Sequence, residues 1–332
     1  MQKLVSIILL NYNNNNFTID CLKSLTKQSY KDFEIIIVDN GTKYYTYLEL
    51  KNTLKEFESK LNIKLIRSDY NLYFAGGNNK GIKNAKGDYV CLLNNDTEVV
   101  PDFLEKVVNY LDKNKNVGML CPKILFFEDK NRIWYGGSYL NPRSIHHSYH
   151  LGHNQKDNGK YDQIKEVPYA CGAALFTRRK VIEEIGLMDE IFFIYVEEID
   201  WNYRAKKKGY KIIYFPDTAI YHKVNIITKK NRYGFRENPF QIYLHSRNKI
   251  IFELKHFSLF DIFLFFCIYQ FKSTITELII SIIQKKHEFL IAHIRSLIMG
   301  FLIGIKRRTC RSCKDLMKRE INYFKRFQKY RG

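Results

Sequence analysis

The chain reads as an α/β protein, a mostly parallel, doubly wound sheet followed by a C-terminal region of amphipathic helices. Three observations predict this. Four short runs rich in Val, Ile and Leu fall at 5–10, 33–38, 63–66 and 89–93, as expected for strands buried on both faces. Helix-spaced apolar residues fill the gaps, and such alternation builds parallel sheets. From roughly residue 240 the composition shifts to apolar segments broken by single charges.

Taken in order, VSIILL (5–10) is the first strand; the run is too short, and lacks the cleavage pattern, for a signal peptide. Phe17, Cys21, Leu22 and Leu25 then mark one face of a helix. FEIIIV (33–38) is the second strand, and Tyr47, Leu50, Leu54, Phe57 and Leu61 keep three- and four-residue steps after it. IKLI (63–66) and YVCLL (89–93) complete the set, and a helix with Phe103, Leu104, Val107, Val108 and Leu111 on one side follows Pro101. Residues 120–225 are less regular. They hold Gly136-Gly137, a loop with His146, His147, His150 and His153, and a predicted helix at 178–185. The histidines lack the helical spacing or Cys partners of a metal site, so they read as a solvated loop.

Four apolar segments follow: IYLHSRNKIIFEL, FSLFDIFLFFCIY, ITELIISII and FLIAHIRSLIMGFLIGI. Asp261, Glu277 and Arg295 interrupt them, so none supplies eighteen unbroken apolar residues. Helices lying in a membrane interface fit this mixture of aromatics, aliphatics and flanking Lys/Arg; packing on the preceding domain or on another subunit is the alternative. The predicted domains are 1–235 and 236–332.

The formal net charge of +20 attracts anions, but its distribution is uneven. Residues 306–332 carry eleven Lys or Arg against Asp315 and Glu320. A basic tail beside amphipathic helices points to an acidic membrane face. No nucleic-acid recognition motif accompanies it, so no nucleic-acid partner is expected. The tail also sets Cys310, Cys313, Met317, Ile321, Phe324 and Phe327 on one stripe. The seven cysteines form an odd set, several inside apolar runs, which reads as a reducing cytoplasmic compartment. Cys310 and Cys313 have CxxC spacing, but no second pair or His cluster joins them.

Ligands of open parallel sheets bind beyond the carboxyl ends of the strands. The polar residues there are Asn11 and Asn13, Asp39 and Asn40, Ser68 and Asp69, and Asn94 to Thr97. Asp39 is either an acceptor for a base or ribose or a helix N-cap. Asp96 is either a grip on something charged or a turn residue.

Seven segments carry a resemblance: VSIILLNYN, CLKSLTKQSYKDFEIIIVDNGT, YNLYFAGGNNKGI, GDYVCLLNNDTEV, CGAALFTRRKVIEEIGLMDE, FFIYVEEIDWNYRAKKKGY and AIYHKV. Together they resemble family 2 glycosyltransferases of the GT-A fold, particularly the rhamnosyltransferase-like branch, over about residues 3–225. The resemblance implies inverting transfer of a sugar from a nucleotide diphospho-sugar to a hydroxyl of a glycan acceptor, lipid-linked in cell-envelope synthesis. The enzyme would then be cytoplasmic and peripheral on the inner face of the membrane.

Residue by residue, the resemblance places the nucleotide at Asp39, with Asn11 and Tyr12 in the same pocket. Gly76, Gly77 and Asn78, with Asn71 before them, match the segment beneath the nucleotide, and Tyr73 stands where relatives usually have glycine. Asp96 matches the last aspartate of a DxD-type motif; Asn94 replaces the first, with Asn95 between, all on the donor side. A divalent ion, Mg²⁺ or Mn²⁺, is implied at Asp96, with His222 as a metal or diphosphate contact. Glu197-Glu198-Ile199-Asp200 resembles the EDxD segment, with Glu198 as general base and Glu197 or Asp200 shaping the site. On the residues alone, Glu197 and Asp200 equally suit solvent or pairing with Arg204. Cys171-Gly172 resembles the small-residue turn beside the acceptor pocket, and Trp201 and Tyr195 suit either a sugar face or the core. The reduced metal motif also leaves open a non-catalytic nucleotide-binding relative.

Overall fold

The computed structural model describes residues 3–224, 239–283 and 287–308, together with residue 320. The chain divides into two compact units. Met1–Tyr139, Tyr149–Phe193 and Glu197–Val224 form the first; Leu140–Ser148, Ile194–Val196 and Asn225–Gly332 form the second.

In the first unit β1 (Val5–Asn11), β2 (Phe33–Asn40), β3 (Ile63–Ser68) and β4 (Tyr89–Asn94) are the four expected strands, and they pair in parallel in the order β3-β2-β1-β4. Val5, Ile7, Ile8 and Leu9 have no exposed surface, because β1 lies inside the sheet with both faces covered. Helices α1 (Asn15–Leu25), α2 (Tyr44–Thr53) and α3 (Tyr73–Asn84) link these strands. A short β5 (Thr97–Val99) leads to α4 (Phe103–Lys113), which buries the five apolar residues read from the sequence.

The irregular stretch supplies the rest of the sheet. β6 (Val117–Phe126), β7 (Ile133–Tyr135), β10 (Lys165–Glu166), β11 (Ala174–Arg178) and β12 (Lys211–His222) extend it to ten strands, while β8 (Ser138–Asn141) and β9 (Ser144–His150) form a separate pair. Strand β11 runs antiparallel between β4 and β6, and β12 lies parallel to β6. The register of β12 shifts between Phe215 and Ala219, around Pro216, a residue that strands admit at bulges. Past this break Ile220–His222 pairs with β6 on one side and antiparallel with β5 on the other. Helices α5 (Arg179–Ile185) and α6 (Glu197–Lys207) complete the unit.

The second unit contains α7 (Pro239–His256), α8 (Leu259–Leu264), a π-helical turn (Phe265–Gln270), α9 (Phe271–Ile283) and α10 (His287–Arg308). Helix α10 lies close on α7 because Gly300 and Gly304 face it: a Cβ on Gly304 would stand 2.5 Å from Leu254 Cδ1. Arg308 Nη1 donates to the carbonyls of Leu254 (3.0 Å) and Phe257 (2.9 Å), satisfying the end of α7. Leu259–Ile283 and His287–Arg308 each contain an 18-residue window, of mean hydropathy 1.4 and 1.7, and are long and apolar enough to cross a membrane. The interrupting charge of Glu277 is turned inward, whereas Phe260, Phe263, Phe271 and Ile283 are 63–74% exposed. The stripe from Cys310 through Phe327, including Cys313, lies outside the described residues.

Glycines in α3 set how closely it approaches the sheet. A Cβ on Gly81 would lie 2.3 Å from Ile8 Cγ2, inside contact distance of a side chain with no room to move. Overpacking of this kind costs up to about 3 kcal/mol, against about 1 kcal/mol gained in helix propensity. Gly81→Ala is therefore expected to lower the denaturant midpoint at unchanged slope; an unchanged midpoint would show that α3 does not sit this close.

Candidate active site

The carboxyl ends of β1 and β2 meet in a buried polar network. Asn11 Nδ2 donates to Asn15 Oδ1 (3.1 Å) and Asp39 Oδ1 (3.4 Å), and Thr18 Oγ1 donates to Asn11 Oδ1 (2.8 Å). Asn95 Nδ2 donates to Thr18 Oγ1 at 2.9 Å, tying the end of β4 into the same network. Asp39 is fully buried, yet its Oδ2 accepts no hydrogen bond. The nearest cation, Arg67 Nε, stands 3.7 Å away, its guanidinium held between the rings of Tyr44 (4.9 Å) and Tyr47 (4.7 Å). Such an unmet acceptor at a ligand-binding edge requires a partner. The N-cap alternative for Asp39 falls away, because α2 begins at Tyr44 with Lys43 as its cap residue. Tyr12, 41% exposed, borders this edge.

Asn40 fixes the loop that follows β3. Its Nδ2 donates to Asn71 Oδ1 (3.1 Å) and Tyr73 O (3.0 Å), while its Oδ1 accepts from Leu72 N (2.8 Å). Tyr73 adopts φ 57°, the left-handed conformation that glycine takes without strain, and its ring meets Phe193 edge-on at 5.3 Å. The tyrosine thus holds a turn that glycine would take without strain. Gly76, Gly77 and Asn78 lie inside α3, all buried. The missing side chain of Gly77 admits Leu10 and Asn40 of the sheet, with Cβ distances of 3.0 and 3.1 Å, and is not left open to a ligand. Asn78 Nδ2 turns back to Phe74 O (3.0 Å).

At the end of β4 the chain turns through Asn94-Asn95-Asp96 into β5, with Thr97 Oγ1 donating to Asn94 O (2.7 Å). The antiparallel pairing of β12 with β5 sets His222 opposite Thr97, and Lys223 N donates to Asp96 O at 2.8 Å. His222 Nε2 consequently stands 3.1 Å from Asp96 Oδ1 and 3.5 Å from the Asn94 amide. The imidazole is buried against Trp134 (4.7 Å between rings), and its Nδ1 has no hydrogen-bond partner. Lys223 Nζ is drawn away to Asp20 (2.8 Å) and Glu98 (2.7 Å), so it does not neutralise Asp96.

On the other side of β4, Asn94 N donates to Ala173 O at 3.0 Å, which brings up the turn Cys171-Gly172. A Cβ on Gly172 would lie 3.7 Å from Glu198 Cβ, so this turn and the first residues of α6 are neighbours. Asn202 holds them together: its Oδ1 accepts from Ala170 N (3.0 Å) and its Nδ2 donates to the carbonyls of Ala170 (3.1 Å) and Glu198 (2.7 Å). Burial raises the Glu198 carboxyl above its ordinary range; burial, then the charge of Glu198, raises Glu197 well above it. Each keeps an Oε2 with no hydrogen bond. Burial likewise pushes the Cys171 thiol up, so it is an inert small residue of the turn.

Two residues of this segment are structural. Asp200 is fully buried and pairs with Arg204 (Oδ2 to Nε, 2.9 Å), whose Nη2 donates to Leu187 O at 2.8 Å. Trp201 is also fully buried, its Nε1 donating to Gly186 O (2.9 Å), so of the two alternatives it takes the core. The stretch read as a solvated histidine loop is instead largely strand β9: His150 is held against Trp134 and Tyr135, and His153 Nδ1 is 2.9 Å from Trp134 O. Among the described residues no group of three or more His, Cys, Asp and Glu side chains gathers as a metal site. Thr18, Arg67, Trp134 and Asn202 escape the sequence reading; of these, only Arg67 carries a signal, a charged residue closing the third strand run.

The profile of Glycosyl transferase family 2 matches residues 6–186, more than half of the chain. The chain belongs to that family. This glycosyltransferase is 26% identical over 312 residues to the low-salt glycan biosynthesis hexosyltransferase Agl10 of Haloferax volcanii, covering 92% of each chain. It is 29% identical over 223 residues to the amylovoran biosynthesis glycosyltransferase AmsB of Erwinia amylovora, covering 66% of this chain and 69% of that one. Its fold is GT-A. The mannosyltransferase PcManGT of Pyrobaculum calidifontis, solved with GDP-Man and Mn²⁺, superposes with a TM-score of 0.53 at 15% identity, over 76% of this chain and 64% of that one. S. aureus TarS 1-349 gives 0.53 at 17% identity, over 77% and 66%.

Because Asp200 holds Arg204 and not a substrate, Asp200→Asn is expected to lower stability by about 3 kcal/mol, the cost of breaking a buried pair. Sugar transfer below the melting transition should stay within about threefold of wild type, far short of the loss from a missing base. A large loss of kcat in a fully folded variant would contradict the assignment.

Proposed function

We propose that this glycosyltransferase moves a hexosyl or deoxyhexosyl group, with inversion, from a nucleotide diphospho-sugar to a hydroxyl of a cell-envelope glycan acceptor carried on a lipid. The observation that carries the reading is the meeting of Asp96 and His222. Residues 126 apart in sequence are brought to 3.1 Å at the sheet edge where an open α/β fold binds its ligand. The open oxygen of Asp39 lies at the same edge and suits a donor group of the nucleotide, with Asn11 and Tyr12 beside it. Agl10 and AmsB, as glycan and amylovoran biosynthesis enzymes, support the acceptor class.

The residues present fit a divalent cation. Asp96 offers a carboxylate oxygen, His222 an imidazole nitrogen, and two protein ligands leave positions for diphosphate oxygens. A nitrogen ligand favours Mn²⁺ over Mg²⁺. When bound, the cation supplies Lewis acidity to the departing diphosphate. Asp96 and His222 would hold that cation, and the buried network from Asn11 to Asn95 keeps the strand ends rigid.

Glu198 is the proposed general base. It is held against the Cys171-Gly172 turn by Asn202, and its buried Oε2 takes no hydrogen bond among the described residues. Burial lifts its pKa toward the working range, as a general base requires. Glu197 beside it disfavours a second negative charge, so the pair retains a proton more readily than either acid alone.

Glu198→Gln is expected to lower kcat about 10²- to 10⁴-fold while leaving nucleotide affinity within a few-fold of wild type. In the wild type, kcat should fall as the pH drops through the raised Glu198 value, because the base is lost on protonation; this limb should lie above the ordinary glutamate range. Transfer by Glu198→Gln at the wild-type rate, with the acidic limb unmoved, would sink the assignment.

A further inference from the structure

Within the second unit the tip of the β8–β9 hairpin, α7 and the helix from Leu259 to Ile283 gather cationic and imidazole groups. His146 stacks on Tyr269 at 4.7 Å, His147 meets the same ring edge-on at 5.2 Å, and the two imidazoles lie 5.0 Å apart. Lys249 of α7 and Lys272 of α9 both act on His146. On the far side of Lys249, His245 stacks on Tyr195 at 3.9 Å. Among the described residues two acids bear on the group, Glu253 on Lys249 and Asp261 on Glu253; Glu253, fully buried, accepts from Ser144 Oγ (2.7 Å) and Ile145 N (2.6 Å). Its Oε2 takes no hydrogen bond, and burial pushes its carboxyl up to about 7.

Lys249 is half-buried, and among the described residues its ammonium has no hydrogen-bond or ion-pair partner. An unpaired ammonium removed from water is costly unless an anion joins it. Burial, with the charge of Lys249 and Lys272, lowers His146 to about 4, so its ring is neutral and gains a proton only when a negative charge approaches. Lys272 is exposed, and Ile268, Phe271 and Ile275 around it are 52%, 64% and 42% exposed. Positive charge is thus set directly into an apolar surface, which suits an anion with a hydrocarbon chain better than a soluble one.

We propose that this cluster is the headgroup seat of a phosphate-bearing lipid: Lys249 and Lys272, with the His146 and His147 rings, hold a phosphomonoester or diphosphate at the membrane surface while the chain lies along Ile268, Phe271 and Ile275. It deepens the lipid-linked acceptor reading and rests on it.

The test is co-flotation of the full chain with three vesicles: phosphatidylcholine alone, phosphatidylcholine with phosphatidic acid, and phosphatidylcholine with phosphatidylglycerol at the same surface charge. Wild type is expected to prefer the phosphatidic acid vesicles over the charge-matched ones, and Lys249→Gln/Lys272→Gln to lose about fivefold in affinity per lysine on phosphatidic acid. Lys272→Gln alone, at an exposed position, gives the same sign if the double variant misfolds. Equal wild-type binding to both acidic vesicles, or an unchanged preference in the variants, would overturn the proposal. Inorganic phosphate that binds the wild type at millimolar level in the absence of vesicles, and no longer binds Lys249→Gln/Lys272→Gln, would assign the seat to a free anion and overturn it also. Hydrolysis of nucleotide diphospho-sugar by water, measured without lipid, reports on the transferase chemistry separately. If that persists while lipid selectivity is absent, the headgroup seat fails and the transferase reading stands.

Discussion

The antiparallel pairing of β12 with β5 is the constraint on which the site depends. Without it the end of β4 is a polar turn and His222 is a histidine on a strand. The pairing needs a strand that serves three partners, β6 on both sides of a break, β10 at Ile213 and Tyr214, and β5 over its last three residues. Pro216 and the register shift around it provide the break between these segments. A continuous ladder would hold the side-chain alternation of β12 fixed, and one residue of slip turns every side chain to the opposite face. The fold therefore places Asp96 by turn geometry and His222 by register, while Lys223 is drawn to Asp20 and Glu98.

The chemistry proposed for the site rests on the same economy of neutralisation. Asp39, Asp96, Glu197 and Glu198 are the acids of the candidate site, and among the described residues Asp39 has Arg67 Nε at 3.7 Å and Asp96 has His222 Nε2 at 3.1 Å. Asp39 keeps an open oxygen even so. Burial of Glu197 and Glu198 holds protons on the pair that solvent exposure would release. In the chain leading to them, Phe193, Tyr195 and Val196 all take positive φ, which is costly for non-glycine residues and worst for a β-branched valine. That strain is stored immediately before the proposed base.

Much of the first unit was legible in the sequence because buried parallel strands announce themselves as unbroken apolar runs. The four strands and the face of α4 follow directly. Strand-end polarity pointed to Asn11, Asp39 and the Asn94–Thr97 turn, and the spacing of seven segments pointed to the family. Strands β6 to β11 were not legible, and of β12 only its strand-like run KIIYFPDTAIY was: β6 contains Pro122, β12 contains Pro216, and their partners are distant in sequence, so no local period reveals the pairing. Trp201 and Gly77 were ambiguous for a related reason. A tryptophan or a glycine near a functional segment has the same letter whether it faces a ligand or a neighbouring element, and only packing decides. In the second unit, Asp261, Glu277 and Arg295 suggested interface helices, and the structure turns Glu277 inward, leaving faces more apolar than the linear sequence conveys.

The claim that Asp96 and His222 together hold a divalent cation against a diphosphate is tested most directly by Mn²⁺ titration, following the free-ion paramagnetic resonance signal, with UDP, GDP or dTDP present. Mn²⁺ should bind the wild type more tightly with the correct nucleotide than without it, and Asp96→Asn and His222→Gln should each weaken that binding by about tenfold or more. Unchanged Mn²⁺ affinity in both folded variants would contradict it.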